Sequence, residues 1–140
     1  MWSVDWGATN WLAVVVAAVA SFIIGGAWYG AIFARAWQRL HGFTDEQARA
    51  LGASPARTFG ILGACDAIAA VVMGVLVQKL EIASLIDGLG LGFWAWVLAM
   101  ASVLVSTYVA SGKKPGLILI DGGKLGVCLL VMGAILGAWR

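Results

Sequence analysis

Four long apolar runs, divided by short polar stretches, account for nearly the whole chain. About 20 apolar residues in a helix match the hydrocarbon thickness of a bilayer, so the runs predict membrane-spanning helices at about 11–34, 58–80, 91–111 and 117–139. The expected fold is all-α: a polytopic membrane protein, four transmembrane helices in one bundle, as a single integral membrane domain over residues 1–140. Between the first two runs lies a polar connection from Arg35 to about Ala56. Within it Thr44-Asp45-Glu46-Gln47 has capping-box spacing and Gly52 can end the helix so begun, which predicts a short amphipathic helix in the first loop, at the membrane surface. Ser54 and Pro55 suit the N-cap and first position of the second span. The glycine-rich GLGLG of Gly88 to Gly92 has no preceding strand, so it reads as a flexible entry into the third span and not as a phosphate loop. Gly112 to Gly116 reads as a tight basic turn.

The last run is the most informative. Turned at roughly 100° per residue, it places Asp121, Lys124, Cys128 and Met132 on one stripe and Gly122, Gly126, Gly133 and Gly137 on another. The second stripe contains two G-x-x-x-G pairs, which let another helix approach closely. A helix facing lipid needs neither charges nor a glycine groove, so this one is expected at the centre of the bundle. The second span repeats the logic: Gly63, Ala70 and Gly74 lie beside Asp66, while Ile61, Ile68, Val72 and Val75 point the opposite way, toward lipid. On the first span Ala18, Ser21, Gly25 and Tyr29 share a face, with Gly26 and Gly30 on an adjacent one. Ala95, Ala99, Ser102, Ser106 and Ala110 make a small-residue stripe on the third.

Asp66 and Lys124 each sit seven or eight residues into their spans, at a depth of roughly 10–12 Å. Asp121 is one turn shallower. The candidate polar intramembrane site is therefore Asp66, Asp121 and Lys124, with Tyr29, Ser106 and Tyr108 at the same level, and the candidate helix-packing positions are Gly122, Gly126, Gly133, Gly137, Gly63 and Gly25. Ionisable groups inside a membrane are expensive and mark functional sites by default. Two readings stay open: a structural ion pair that fixes helix register, or a polar site for a proton, an ion or a small solute.

Composition sharpens this picture. With 62% hydrophobic and 11% charged residues, 140 residues cannot fold as a soluble domain. The net charge of +2 says nothing about nucleic acid, because the basic residues sit at helix ends. Cys65 and Cys128 lie within apolar runs without ligand-spaced neighbours, so neither a disulfide, a metal nor a cofactor is implied. The single histidine, His41, reads as a solvated loop residue. Trp2, Trp6, Trp11, Trp94, Trp96 and Trp139 on one side and Trp37 on the other read as an interfacial belt, leaving Trp28 near the charged layer. Arg35, Arg39, Arg49, Arg57, Lys113 and Lys114 fall on the side of the first and third connections, against Lys79 and Arg140 opposite. That bias predicts those connections inside and both termini outside. The first run lacks a basic region and a small-residue cleavage site, so it reads as a retained span.

Two function classes fit. One is a small transporter or channel-like protein working through the Asp/Lys site. The other is an accessory or scaffold subunit that binds a partner membrane complex through its glycine faces. An enzyme is disfavoured, for want of a nucleophile–base pair at usable spacing. The lipid bilayer is the surrounding partner. A homo-oligomer is expected, a dimer first, because the glycine grooves exceed what one bundle needs.

Several of these residues also resemble a known family. Asn10-Trp11, Gly26-Ala27-Trp28-Tyr29, Phe33, Trp37, Gly42-Phe43-Thr44, Ile120-Asp121-Gly122 and Met132 to Trp139 are similar to the small four-span bacterial membrane family catalogued as domain of unknown function 1761. The resemblance implies the fold and topology, in a bacterial inner (cytoplasmic) membrane, and carries no catalytic residue.

Overall fold

The computed structural model describes residues 3–139; Trp2 and Arg140, assigned above to the belt and to the charge count, lie outside the described residues. Four helices within them are long and apolar enough to cross a membrane: Trp11–Ile32, Pro55–Lys79, Leu85–Ala110 and Pro115–Ala138. The protein is an all-α membrane protein with these helices packed together.

Helix α1 (Trp11–Ala27) starts where the Asn10 side chain accepts the Ala13 amide, satisfying one of the orphan donors of a helix N-terminus. It loosens into a π-helical turn at Trp28–Ile32 and breaks at Phe33, beyond which α2 (Ala34–His41) sets off and ends on left-handed Gly42. No helix was expected at α2; its apolar positions Trp37 and Leu40 dock it against the basic end of the last span. Helix α3 (Asp45–Leu51) carries the reciprocal Thr44–Gln47 capping box. Helix α4 (Pro55–Lys79) opens on its proline.

Helix α5 (Leu85–Ala99) begins six residues before the expected third span, because the Ser84 hydroxyl accepts the Asp87 amide and caps it. GLGLG is thus helical and not a flexible entry. A second π-helical stretch, Met100–Val105, joins α5 to α6 (Ser106–Ala110), and α7 (Pro115–Ala138) returns antiparallel to them.

Helix α7 is the axis of the bundle, in contact with α1, α4 and α5. Its glycine stripe takes α5. A Cβ added at Gly88, Gly92, Gly133 or Gly137 would run into the backbone of the facing helix, so each of these positions has room only for hydrogen. Further along the same seam Trp96 covers Gly126 and Met100 covers Gly122. The contact face of the third span is therefore Gly88, Gly92, Trp96 and Met100. Ser102, Ser106 and Ala110 of the expected small-residue stripe are exposed instead.

The opposite side of α7 faces α1 and α4. Met132 and Leu136 join Ala13, Val14 and Ala17 of α1 and Ala70, Met73 and Val77 of α4 in the main apolar cluster. Ile61, Ile68 and Val72 point away from it and are exposed, while Val75 is partly covered. Burial on α4 is confined to its second half: every residue from Pro55 to Leu62 is exposed. At the basic end the second span therefore stands at the edge of the bundle, where Phe59 meets Phe22 of α1 edge-on with ring centroids 6.1 Å apart.

Candidate intramembrane polar site

Asp121 and Lys124 share a stripe of α7, but they serve two separate centres. At the shallower one, Asp121 is gripped by three donors. Tyr29 and Trp37 donate to Oδ1 at 2.6 Å and 3.2 Å, and Tyr108 donates to Oδ2 at 2.7 Å. These donors come from the π-helical turn after α1, from α2 and from α6, so a single carboxylate ties three elements to α7. Two indoles brace the same level through the α7 backbone: Trp28 donates to the Ile120 carbonyl and Trp96 to the Gly122 carbonyl, each at 2.9 Å. Both neighbouring spans are π-helical here. Such turns displace side chains from α-helical register and recur at functional sites.

One turn deeper, Lys124 reaches Asp66 of α4, with Nζ 3.7 Å from Oδ1. The Ser21 hydroxyl of α1 donates to the same Oδ1 at 2.8 Å. The pair is close enough for Coulombic attraction yet beyond hydrogen-bond distance. Among the described residues neither the ammonium nor Asp66 Oδ2 has a hydrogen-bond partner. Lys124 keeps 22% and Asp66 13% of their side-chain exposure, so both are covered but reachable. Gly25 makes space for the lysine: a Cβ there would stand 3.2 Å from Cε.

The pair lies at the floor of a groove of ≈ 270 Å³ between α1 and α4. Its walls are mostly apolar, from Phe22, Gly26 and Gly30 on one side and Phe59 and Leu62 on the other, and Tyr29, whose hydroxyl is donated to Asp121, completes the lining. The wall residues other than Tyr29 are exposed on the flank of the bundle, so the groove opens sideways. It exists because α4 stands at the edge of the bundle at this end and because Gly26 and Gly30 carry no side chain to fill it.

Of the expected site residues, Asp66 and Lys124 come together, as do Asp121, Tyr29 and Tyr108. Ser106 joins neither group; it is exposed, and its hydroxyl turns back to the Ser102 carbonyl of its own helix at 2.8 Å. Gly122, Gly126, Gly133 and Gly137 all lie in the α5 seam, Gly25 meets Lys124, and Gly63 meets the Phe22 ring. Two tryptophans leave the belt: Trp37 for Asp121 and Trp96 for the α7 backbone. The spacing held a signal for both. Gly88, Gly92 and Trp96 recur every four residues, as do Tyr29, Phe33, Trp37 and His41.

His41 is half-buried, and its two ring nitrogens are shielded from solvent. Its ring stacks on Phe43, with centroids 4.9 Å apart and planes 2° apart, and packs on Trp37 at 4.2 Å. Neither ring nitrogen has a hydrogen-bond partner among the described residues. Loss of water around it lowers the His41 pKa from the ordinary 6.5, and Lys113 nearby lowers it further, against a smaller opposing pull from Asp121.

The family model described as a protein of unknown function (DUF1761) matches residues 12–137. The chain belongs to this family. The match takes in all four spans and both polar centres. No curated protein and no solved structure matches the chain.

Proposed function

We propose that this small integral membrane protein is a transporter or channel-like protein, and that its working site is the Asp66–Lys124 pair. The observation that supports this is the groove: the one ion pair of the bundle's interior recorded among the described residues is left partly open at the foot of a cleft, not sealed by packing. Burying such a pair contributes little net stability, since desolvation offsets the attraction, so hydrogen-bonding capacity left unused at the foot of a cleft favours a ligand site over a strut. Asp121, by contrast, has its donors supplied by the protein and reads as the structural centre.

In this reading the basic connections lie on the cytoplasmic side of a bacterial inner membrane, with both termini outside, so the groove belongs to the inner half. The test is flux into reconstituted vesicles with three probes. These are protons read by a trapped pH dye, chloride ions read by a trapped quenchable dye, and a tail-labelled phospholipid read by dithionite bleaching. Transport of at least one probe, lowered tenfold or more in folded Asp66→Asn and Lys124→Met variants, supports the proposal. Rates equal to empty vesicles for all three contradict it.

The second reading, an accessory subunit, has a narrower basis. The α7 glycines are covered by other parts of the same chain, so among the helical glycines a partner helix would have to use Gly26, Gly30, Gly60 or Gly90, where an added Cβ meets nothing within 4 Å.

A further inference from the structure

The shape and charge of the groove point to the chemistry of its occupant, given that the pair is the working site. The floor is a net-neutral dipole, one ammonium beside one carboxylate, with the ammonium and Asp66 Oδ2 both unbonded within the protein. The walls are aromatic, aliphatic and glycine, with the Tyr29 hydroxyl already donated to Asp121, and the other wall residues are exposed on the flank of the bundle.

A lone anion reaching Lys124 would meet the Asp66 carboxylate, and a lone cation reaching Asp66 would meet the ammonium. In either case one charge is left uncompensated in low dielectric, which is the expensive outcome. A head group carrying both signs leaves none. Its anionic end accepts from Lys124, which has three N–H donors, and its cationic end donates to Asp66 Oδ2. The apolar walls suit acyl chains that remain in the bilayer while the head group enters. The volume is roughly nine waters' share, room for a compact head group but not for chains as well.

We propose that the groove admits the head group of a zwitterionic phospholipid with a primary ammonium, as in phosphatidylethanolamine, phosphate toward Lys124 and ammonium toward Asp66. Access is sideways, past the first turns of α4, where Pro55 to Leu62 are exposed. Lys124 stands nine residues into α7, roughly 13 Å from its start, so the head group sinks well below the interface to reach it.

The test is photo-crosslinking of the full-length protein in nanodiscs with phosphatidylethanolamine bearing a diazirine at the glycerol end of one acyl chain. Labelled peptides are mapped by mass spectrometry. Labelling is expected on the segments containing Phe22 to Gly30 and Phe59 to Asp66. Unlabelled phosphatidylethanolamine should compete at least fivefold better than phosphatidylglycerol, whose head group is a net anion. Asp66→Asn should lower labelling at least fivefold. Gly26→Leu should do the same while leaving the pair untouched, since its side chain enters open space within the groove. Equal competition by the two lipids, or labelling undiminished by Gly26→Leu, overturns the assignment. Labelling as expected without flux of any probe refutes the transport reading and leaves the lipid site standing. Proton or chloride flux without labelling refutes the lipid site alone.

Discussion

Gly88 and Gly133 face each other across the α5–α7 seam so closely that a Cβ on either would collide with the other's carbonyl group. Glycine weakens an isolated helix by about 1 kcal/mol relative to alanine, so four of them at one seam are retained against local preference. What offsets the loss is backbone-level packing, the main source of helix association where lipid removes the hydrophobic drive.

It follows that Gly133→Val and Gly88→Leu force the two helices apart. Overpacking typically costs about 1–3 kcal/mol, and here the obstacle is backbone that no rotamer change can relieve. A marked fall in thermal midpoint in detergent is expected for both. Gly90→Ala, on the same helix but with nothing within 4 Å of its Cβ, should be neutral or slightly stabilising.

The Asp121 centre should behave as a structural clasp. Tyr29→Phe and Tyr108→Phe each remove one hydrogen bond to a charged acceptor, an effect of about 1.5–3 kcal/mol. Asp121→Ala strands three donors at once and should be worse than either. Reversible unfolding in mixed micelles reads the order, and for Tyr108→Phe, which lies off the groove, flux should follow folded fraction only.

His41 gives the fold a pH dependence of predictable sign. Its folded pKa is lowered by desolvation first and by Lys113 second, so near and below 6.5 the unfolded chain binds more protons than the folded one. Stability therefore rises with pH across the window just below 6.5 and is lost as the solution is acidified through it. His41→Phe, which keeps the stacking on Trp37 and Phe43, should flatten that part of a thermal-midpoint profile.

Much of this architecture was legible in the chain. The four spans, the central last helix and its two stripes follow from apolar length and the helical period, because a bilayer leaves few other ways to satisfy a backbone. The capping box at Thr44 is local chemistry and reads directly. What was not legible depends on partners distant in sequence. GLGLG looked like a linker because glycine is read locally as flexible, whereas Gly88 and Gly92 are fixed by Gly133 and Leu129 more than thirty residues on. Trp37 and Trp96 looked interfacial because an indole suits that zone, yet each found an acceptor on α7. Ser106 looked like a member of the site by depth alone, but the π-helical stretch before it shifts the register and its hydroxyl bonds its own helix. The groove depends on where α4 stands at the edge of the bundle, which no periodicity encodes.

The pair itself decides between a working site and a strut. Removing Asp66 alone leaves an unpaired ammonium within the bundle, a cost of roughly 2.5–3.5 kcal/mol at the centre of a membrane and less where water reaches it. Replacing both partners by apolar residues avoids that cost and is often neutral for stability. The most direct measurement is therefore flux through vesicles containing the double variant Asp66→Ala/Lys124→Met, using the proton, chloride and tail-labelled phosphatidylethanolamine probes, with thermal unfolding as a folding control. We predict a folded protein whose transport falls to the level of empty vesicles. A folded double variant that transports as well as the wild type would show the pair to be structural and contradict the account.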